Sequence, residues 1–491
     1  MKSVKFICFM LAMLMLFICL AACNSKNNGS EDTTNVTASY DSERDTVKDT
    51  VPTDLNFNGE SVTFFVRDDD EIWKNEMDVE KTTNDTLFDA IYYRNTTVED
   101  RLGVEIKQIG QAGNWHSHNS WNSTLRNAVL TKSGDFDAAA IYASTGSALA
   151  VEGLYYNVLD VPYVNLDQPW WNQTIRDELT LFDTLYFLGG DIVVTEIANG
   201  MCIFYNKELL AELYQTQNIN LYDTVNKGGW TIDVMNELVM GAWIDENSDG
   251  VTSDGDTVGF MAANANDGGM DCWAAAMGVK TTTVVDGYPT LSVYNEHTVE
   301  AFEKVKKLHI GNMGTLKSEE SDKTAFSVGN QLFMRDKLNT GSTLRDMQDD
   351  YGVLPLPKFD TAQEDYYTTF DNTSSLVVVL STCQNTEKVG ATLELMAAEA
   401  YKQVTPAYFE ICLQGKYADA PEDAEMYDRI LKTFVFDFGF CYSSKSLEGV
   451  GGLFRDLTRD IAQVYEANKI KYETALETLI DKLDEVSYLA Q

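Results

Sequence analysis

The stretch Tyr205-Asn206-Lys207-Glu208-Leu209-Leu210 contains the start of one amphipathic helix, and Gly229-Trp230-Thr231 contains the start of another. Asn206 can cap the first helix, because its side-chain oxygen can accept a backbone N–H of the first turn, and the two leucines then share one face. Thr231 can cap a second helix over residues 232–240 in the same way. We interpret both as scaffold helices of an α/β region that runs from about residue 153 to residue 308.

A second set of alternating strands and helices precedes this region. Such alternation indicates an α/β lobe with a largely parallel sheet. With 491 residues, of which 44% are hydrophobic, the chain is long enough for two lobes or more. Beyond residue 308 the sequence predicts strands at 351–357 and 375–380 and a mainly helical tail over 387–491. The predicted elements of the first lobe are strands at 61–67, 104–109 and 136–142 and helices at 84–102 and 120–130.

The N-terminus resembles a bacterial lipoprotein export signal. Lys2 and Lys5 precede an apolar run from Phe6, and the run ends in Leu20-Ala21-Ala22-Cys23. We therefore predict a signal peptide over residues 1–22, lipid attachment at Cys23, and a polar, flexible tether over 23–54. The alternative is a signal anchor retained as a membrane helix. The prediction places the protein outside the cytoplasm, anchored to the cell membrane by lipid.

Charge and cysteine content exclude several classes of function. The formal net charge of −39 repels phosphate backbones and anionic lipid head groups, so we expect no nucleic-acid partner and no direct binding of the folded part to a bilayer. Five cysteines follow Cys23 and none forms a close pair, which argues against a disulfide framework and against a zinc site of the Cys-x-x-Cys kind. They are Cys202, Cys272, Cys383, Cys412 and Cys441.

The order of several short motifs resembles that of the extracellular solute-binding lipoproteins of ABC importers, family 1, which include sugar-binding proteins. The most specific part is Tyr205 to Leu210 followed by Gly229-Trp230-Thr231, and the resemblance covers roughly residues 55–491. The other motifs are Pro169-Trp170-Trp171-Asn172, Gly190-Asp191 and Tyr351-Gly352-Val353-Leu354-Pro355-Leu356-Pro357-Lys358.

The resemblance implies a type II periplasmic-binding-protein-like fold, in which two α/β lobes joined by crossing strands close on a ligand. It implies a monomeric binding protein with no catalytic residues, which captures a carbohydrate, expected to be an oligosaccharide, and delivers it to the permease subunits of an ABC transporter. On that layout the first lobe combines residues 55–145 with 330–376. The second lobe then combines 146–329 with 377–491.

The segment from Asp245 to Asp256 matches the pattern of a calcium-binding loop. Oxygen-bearing side chains stand at positions 1, 3 and 5, a glycine at 6, a backbone carbonyl at 7 and an acid at 12. Position 12 is aspartate where glutamate is usual, so this ligand reaches less far. We predict a structural Ca²⁺ site; the alternative is an acidic surface loop without metal. The predicted ligands are Asp245, Asn247, Asp249, Val251 and Asp256.

Tryptophans are the candidates for sugar contact, because the apolar face of a pyranose packs on an indole. Most of the eight tryptophans are expected in the core. Trp171, in a polar loop, and Trp273, after a Gly-Gly-Met-Asp stretch, are the predicted ligand contacts. Arg345 and Asp371 are weaker candidates near the presumed crossing between the lobes, and each also suits a surface or hinge ion pair.

Two other functions remain open on the sequence. The same scaffold can bind peptides or other polar solutes. A surface glycoside hydrolase would use two carboxylates, but the acids are too numerous for a catalytic pair to be chosen by spacing. The sequence contains no Gly-x-Ser-x-Gly motif and no Walker loop. His116 and His118 lack a third ligand in register, which favours a solvated loop over a metal site.

Overall fold

The computed structural model describes residues 44–262, 268–317, 323–370, 373–413, 421–443 and 446–487. Contacts divide the chain into two compact units, Met1–Thr46 and Val47–Gln491, and every element below belongs to the second unit. The predicted signal peptide and Cys23 lie outside the described residues. In the described part of the chain, no helix has the length and apolar character needed to cross a bilayer.

The strands form two main sheets and one hairpin. The first sheet has the order β11-β3-β1-β2, the second has the order β10-β4-β9-β5-β8, and β6 pairs with β7 alone. In chain order the strands are β1 (Glu60–Arg67), β2 (Val104–Gln111), β3 (Ala138–Tyr142), β4 (Met201–Asn206), β5 (Val258–Ala262), β6 (Thr282–Val285), β7 (Tyr288–Leu291), β8 (Thr315–Lys317), β9 (Gln331–Lys337), β10 (Tyr351–Pro355) and β11 (Ser375–Val379).

The first sheet is the centre of the first lobe. β1 pairs in parallel with both β2 and β3, whereas β11 runs antiparallel to β3. All five residues of β3 and all five of β11 are buried, so both strands lack the alternation of a half-exposed strand. A bridge between Leu188 and Val377 extends the sheet beyond β11.

The second sheet mixes parallel and antiparallel pairs. β5 pairs in parallel with β8 and β9, and β4 runs antiparallel to its neighbours β9 and β10. β4 is buried along its whole length. Together with the first sheet, this arrangement confirms the predicted α/β fold class.

The helices lie mostly where the sequence predicts them. Asn206 accepts the backbone N–H of Leu209 at 2.8 Å, and Thr231 accepts that of Val234 at 3.3 Å, so both predicted caps are confirmed. The α-helices are α1 (Glu71–Asn75), α2 (Thr86–Leu102), α3 (His118–Thr131), α4 (Ala143–Gly146), α5 (Gln173–Leu179), α6 (Val194–Ala198), α7 (Lys207–Leu213), α8 (Leu221–Asn226), α9 (Ile232–Gly241), α10 (Asp271–Ala276), α11 (Glu296–Lys306), α12 (Lys323–Ser327), α13 (Thr386–Glu399), α14 (Thr405–Leu413), α15 (Pro421–Lys432), α16 (Phe438–Ser443) and α17 (Ile461–Ser487).

Strand pairing divides the chain differently from the predicted lobe boundaries. β9 and β10, which fall in the stretch 330–376 predicted for the first lobe, belong to the second sheet. Residues 146–190, predicted for the second lobe, pack beside the first sheet: Tyr155 pairs with Leu380 as Leu188 does with Val377. α13 also packs against β1 and α2. The boundaries differ because hydrogen bonding between distant strands decides lobe membership, and order along the chain does not show it.

The folded body begins before the predicted boundary at residue 55. Val51 is buried, and Arg101 binds both the Asp49 carboxylate, at 2.7 Å, and the Val51 carbonyl, at 2.8 Å. Residues 49–51 are therefore held on the first lobe, and the prediction of a flexible tether as far as residue 54 is wrong for them. The polar composition of the segment concealed the buried Val51, the partly buried Val47 and an ion pair between Asp49 and Arg101.

Candidate functional site

The carboxyl ends of the parallel strands in both sheets meet where the chain crosses between the lobes. β11 begins opposite Tyr142, at the end of β3, and β4 begins opposite Lys337, at the end of β9. The two crossing segments contact each other, because the Met201 N–H donates to the Thr369 carbonyl at 3.0 Å. The crevice outside the carboxyl ends of strands is the usual ligand site of open α/β sheets.

A cavity of about 420 Å³ lies beside this crossing. Its volume falls within the range of roughly 300–1,000 Å³ found for small-molecule sites. Its walls come from α5 of the first lobe, α10 and the β6–β7 hairpin of the second lobe, a crossing segment, and the C-terminal part of the chain. Residues that contribute to the walls include Thr174, Glu178, Asp271, Ala274, Ala275, Gly278, Lys280, Thr281, Thr283, Ser292, His297, Tyr367, Thr369, Asp437, Phe440 and Phe454.

Helix α5 supplies the first-lobe wall. Asn172 caps it by accepting the Thr174 N–H at 3.0 Å. Ile175 and Leu179 are buried in the core, while Thr174 and Glu178, four residues apart, share a face that borders the cavity. One side of this short helix therefore packs and the other side presents a hydroxyl and a carboxylate.

Helix α10 supplies the opposite wall with small side chains. Trp273 and Cys272 are buried, whereas Ala274 and Ala275 border the cavity. Gly278, with φ of +74°, ends the turn that follows the helix in a left-handed conformation that a side chain would strain. The two alanines and this glycine leave the space that forms the cavity.

Asp437 holds the C-terminal wall against the hairpin. Its carboxylate accepts the N–H groups of Thr281 at 2.8 Å, Thr282 at 3.3 Å and Phe440 at 2.6 Å. Burial raises the pKa of Asp437 to about 6, although these three hydrogen bonds oppose the rise. The carboxylate is therefore charged at neutral pH and is held by neutral donors.

Two ion pairs hold acids of the walls. Arg455, next to the wall residue Phe454, forms a bidentate pair with the buried carboxylate of Asp271, one bond being 2.8 Å from Nε to Oδ1. Lys280 of the second lobe binds Glu178 of the first lobe at 2.7 Å. Near this pair, the rings of Phe182 and Tyr288 meet edge to face with centroids 5.9 Å apart. The hairpin thus contacts the first lobe by a ring contact, and Lys280, just before the hairpin, contacts it by an ion pair.

Two half-buried aromatic residues face the space between these groups. Tyr367 lies on a crossing segment and Phe440 on α16, and both border the cavity. With the hydroxyls of Thr281, Thr283 and Ser292, they form a wall of mixed aromatic and hydrogen-bonding character. Such a combination suits a solute with one apolar face and several hydroxyl groups.

Neither tryptophan that the sequence predicts for ligand contact borders the cavity. Trp171 is 3% exposed and donates its indole N–H to Glu394 at 2.9 Å. Trp273 is fully buried and packs edge to face on Phe260 and His309. Both indoles are core side chains in this conformation, so their role as ligand contacts stays a prediction that requires movement of the surrounding structure.

The two weaker candidates, Arg345 and Asp371, do not contribute to the described walls of the cavity either. Arg345 is exposed at the end of the turn that follows β9 and does not border the cavity. Asp371 lies outside the described residues. Sequence reasoning missed Asp437 and Tyr367, which no local motif marks, and it also missed the small-residue run of α10.

The predicted calcium loop lies between α9 and the start of β5, whereas α10 of the cavity wall follows the end of β5. Asp245 accepts the N–H of Gly250 at 2.7 Å, Asn247 that of Asp249 at 2.9 Å, and Asp249 that of Val251 at 2.8 Å. These bonds form the tight turn that the motif requires, with Gly250 at φ of +77°.

Position 12 of the loop fits calcium less well. Both carboxylate oxygens of Asp256 accept backbone N–H groups, from Glu246 at 3.1 Å and from Ser253 at 2.9 Å, and these bonds lower its pKa. Among the residues that the structure describes, no three or more His, Cys, Asp or Glu side chains are grouped to hold a metal ion. Calcium binding by this loop stays a prediction.

The fold is shared with solved structures of solute-binding proteins. At a TM-score of 0.55 and 12% identity, the chain resembles the cyclic α-maltosyl-1,6-maltose binding protein of Arthrobacter globiformis, over 87% of this chain and 99% of that one. At 0.54 and 13% it resembles the galacto-N-biose/lacto-N-biose I-binding protein of the ABC transporter of Bifidobacterium longum, in complex with lacto-N-biose, over 88% and 98%.

A third similar structure is an ABC substrate-binding protein of Listeria monocytogenes in complex with cycloalternan, with a TM-score of 0.50, 13% identity and coverage of 87% and 99%. No protein-family model matches the sequence, and no curated protein matches it. At these identities the similarity establishes the architecture. The chain therefore has the two-lobed, periplasmic-binding-protein-like fold of ABC-transporter solute-binding proteins.

Proposed function

We propose that this protein is an extracytoplasmic receptor that captures a carbohydrate between its two lobes and delivers it to an ABC permease. The observation that carries the proposal is the cavity of about 420 Å³ at the crossing, with walls from both lobes. A solute that touches both lobes favours the closed state by its differential affinity, and closure provides the signal that a permease can read.

Carbohydrate is the favoured class of solute for two reasons. The cavity combines aromatic side chains with hydroxyl and carboxylate groups, as a sugar site requires. In addition, proteins of the same fold were solved with lacto-N-biose and cycloalternan bound. We infer an oligosaccharide or one of its end units as the occupant.

The acids of the walls support binding without catalysis. Asp271 is paired with Arg455, Glu178 with Lys280, and Asp437 is held by three backbone N–H groups. A glycosidase needs one carboxyl group that can donate a proton and a second that can attack or activate water. Each of these three carboxylates already has a partner that fixes its position.

The proposal includes lipid attachment at Cys23, action as a monomer, and permease subunits as partners. The tripartite N-terminal signal supports the anchor. We also propose that the loop from Asp245 to Asp256 binds a structural Ca²⁺, supported by the turn that Asp245, Asn247 and Asp249 form. On binding, Asp256 would exchange its backbone bonds for the metal.

Titration calorimetry of the body, residues 44–491, against a glycan panel tests the function, with small-angle scattering to follow closure. We expect at least one oligosaccharide to bind with a decrease in the radius of gyration. Binding of a peptide instead would change the solute class, and hydrolysis of a chromogenic glycoside would contradict a pure receptor. An absence of binding and closure for every sugar and peptide would remove the proposal.

A further inference from the structure

The cations at the cavity are already paired with acids. Lys280 of the wall is 2.7 Å from Glu178, and Arg455, which follows the wall residue Phe454, binds both oxygens of Asp271. Each pair combines one positive and one negative charge, so neither adds net charge. A carboxylate or sulfate on the solute would have to compete with an existing acid for either cation.

Asp437 adds a negative charge that neither pair offsets. In the described part of the chain, its bonds come from the backbone N–H groups of Thr281, Thr282 and Phe440, which are neutral donors. His297, which also borders the cavity, is directed elsewhere, because its Nε2 donates to the Met277 carbonyl at 2.7 Å. The walls therefore carry an excess negative charge in a partly enclosed space.

An anionic solute would lose its hydration in this space without gaining a counter-ion. Burying an unpaired charge is far more costly than burying a hydroxyl that finds a hydrogen bond. The whole protein adds to the effect, since its net charge of −39 repels anions before they reach the cleft. An ammonium group, in contrast, would meet the Asp437 carboxylate.

We propose that the solute is a neutral or amino-substituted sugar and that the cavity excludes uronic acids and sulfated sugars. The inference rests on the proposed carbohydrate function and narrows its solute class. Replacing Glu178 should weaken the exclusion of anionic sugars, because Glu178 neutralises Lys280, the one lysine among the described residues that border the cavity.

Calorimetry at pH 7.5 with four disaccharides tests this proposal. The probes are maltose, cellobiose, the β-1,4 dimer of glucosamine and digalacturonate, each titrated into the wild-type body and into Glu178→Gln. We expect digalacturonate to bind the wild type at least tenfold more weakly than the best neutral or amino sugar. In Glu178→Gln, Lys280 becomes available and this ratio should fall at least threefold.

Glu237→Gln is the matched control. It makes the same charge change at an exposed site outside the cavity walls and should leave the ratio unchanged.

The outcomes separate this inference from the function on which it rests. Digalacturonate binding as tightly as the best other probe would overturn the charge selection and leave sugar binding intact. An equal change of ratio in Glu178→Gln and Glu237→Gln would also overturn it, since the effect would then come from net charge alone. If none of the four sugars binds, the proposed sugar site and the inference fail together.

Discussion

Acidic residues in the calcium loop and in the cavity walls are used in different ways. The loop from Asp245 to Asp256, which precedes β5, is mostly exposed, and its acidic side chains bond to its own backbone. In the cavity walls, Asp271 is paired with Arg455, 184 residues away in sequence, and Asp437 accepts the N–H of Thr281, 156 residues away. The first region is a local motif, and the second exists only after the chain has folded. A spacing pattern can therefore reveal the loop, but it cannot reveal the cavity.

The largest effect is expected from a substitution that fills the cavity with a large side chain. Ala275→Trp places an indole where α10 leaves room, so we expect solute affinity to fall at least 1,000-fold, or about 4 kcal/mol. Val251→Trp in the exposed loop should leave affinity unchanged. Calorimetry measures both, and circular dichroism confirms that both variants are folded. Equal affinity of Ala275→Trp and wild type would place the site elsewhere.

The pH dependence of stability should have opposite signs in the two regions. The pKa of Asp437 is raised to about 6 by burial, so between about pH 4 and 6 the native state retains a proton that the unfolded state has lost. The stabilisation is present below about pH 4 and is lost as pH rises. Relative to Asp437→Asn, the wild type should lose up to about 3 kcal/mol of unfolding free energy between pH 4 and pH 7.

Asp256→Asn, in the calcium loop, is the variant to compare with Asp437→Asn in the cavity wall. Hydrogen bonds from Ser253 and Glu246 lower the pKa of Asp256, so its contribution is present above its unfolded pKa and lost as pH falls. Urea denaturation at several pH values measures both differences. Parallel pH profiles for the two variants would contradict the contrast.

Calcium binding is the next test, because it should affect the loop from Asp245 to Asp256 and leave the cavity unchanged. If the loop binds Ca²⁺, a concentration 30 times the Kd stabilises the native state by about 2 kcal/mol, and EDTA lowers the Tm correspondingly. Asp249→Ala should abolish this response and leave sugar affinity as in the wild type. A metal-loaded sample whose melting is insensitive to EDTA would show that the loop acts through its backbone bonds alone.

The smallest expected effect concerns the ion pair between the lobes. The Lys280 side chain is 51% exposed, so its pair with Glu178 should contribute less than 1 kcal/mol to stability. A double-mutant cycle with Glu178→Gln and Lys280→Gln, followed by thermal melting, measures this coupling. A coupling above 2 kcal/mol would mean that the pair holds the lobes closed and does more than adjust charge at the cavity.

Local signals in the sequence predicted the scaffold well. The Asn206 and Thr231 caps, the apolar run of β11 and the early strand and helix alternation all follow from interactions within a few residues. Lobe membership did not follow, because β9 and β10 join β4 through pairings that span more than 100 residues. Composition likewise did not reveal that Val51 is an anchor, since one buried valine in a polar segment leaves no pattern.

The candidate site was the least predictable part. Tryptophan was the natural expectation for sugar contact, yet Trp171 and Trp273 pack in the core, and Tyr367 and Phe440 face the cavity instead. The sequence shows where an aromatic residue stands in the chain. It does not show which face of its helix or strand is covered by neighbouring elements, and so it does not show whether the ring is in the core or in the cavity wall. The signal that could have found the wall was the small-residue run Ala274-Ala275-Ala276 before Gly278, which permits an empty space beside a helix.

A crystal structure of the body with a bound sugar tests the central claim most directly. We expect electron density for the sugar between α5 and α10, in contact with Tyr367 or Phe440 and within hydrogen-bonding distance of the Thr281 to Thr283 segment. Density at the loop from Asp245 to Asp256, or on the outer surface of either lobe with this cavity empty, would contradict the proposed site.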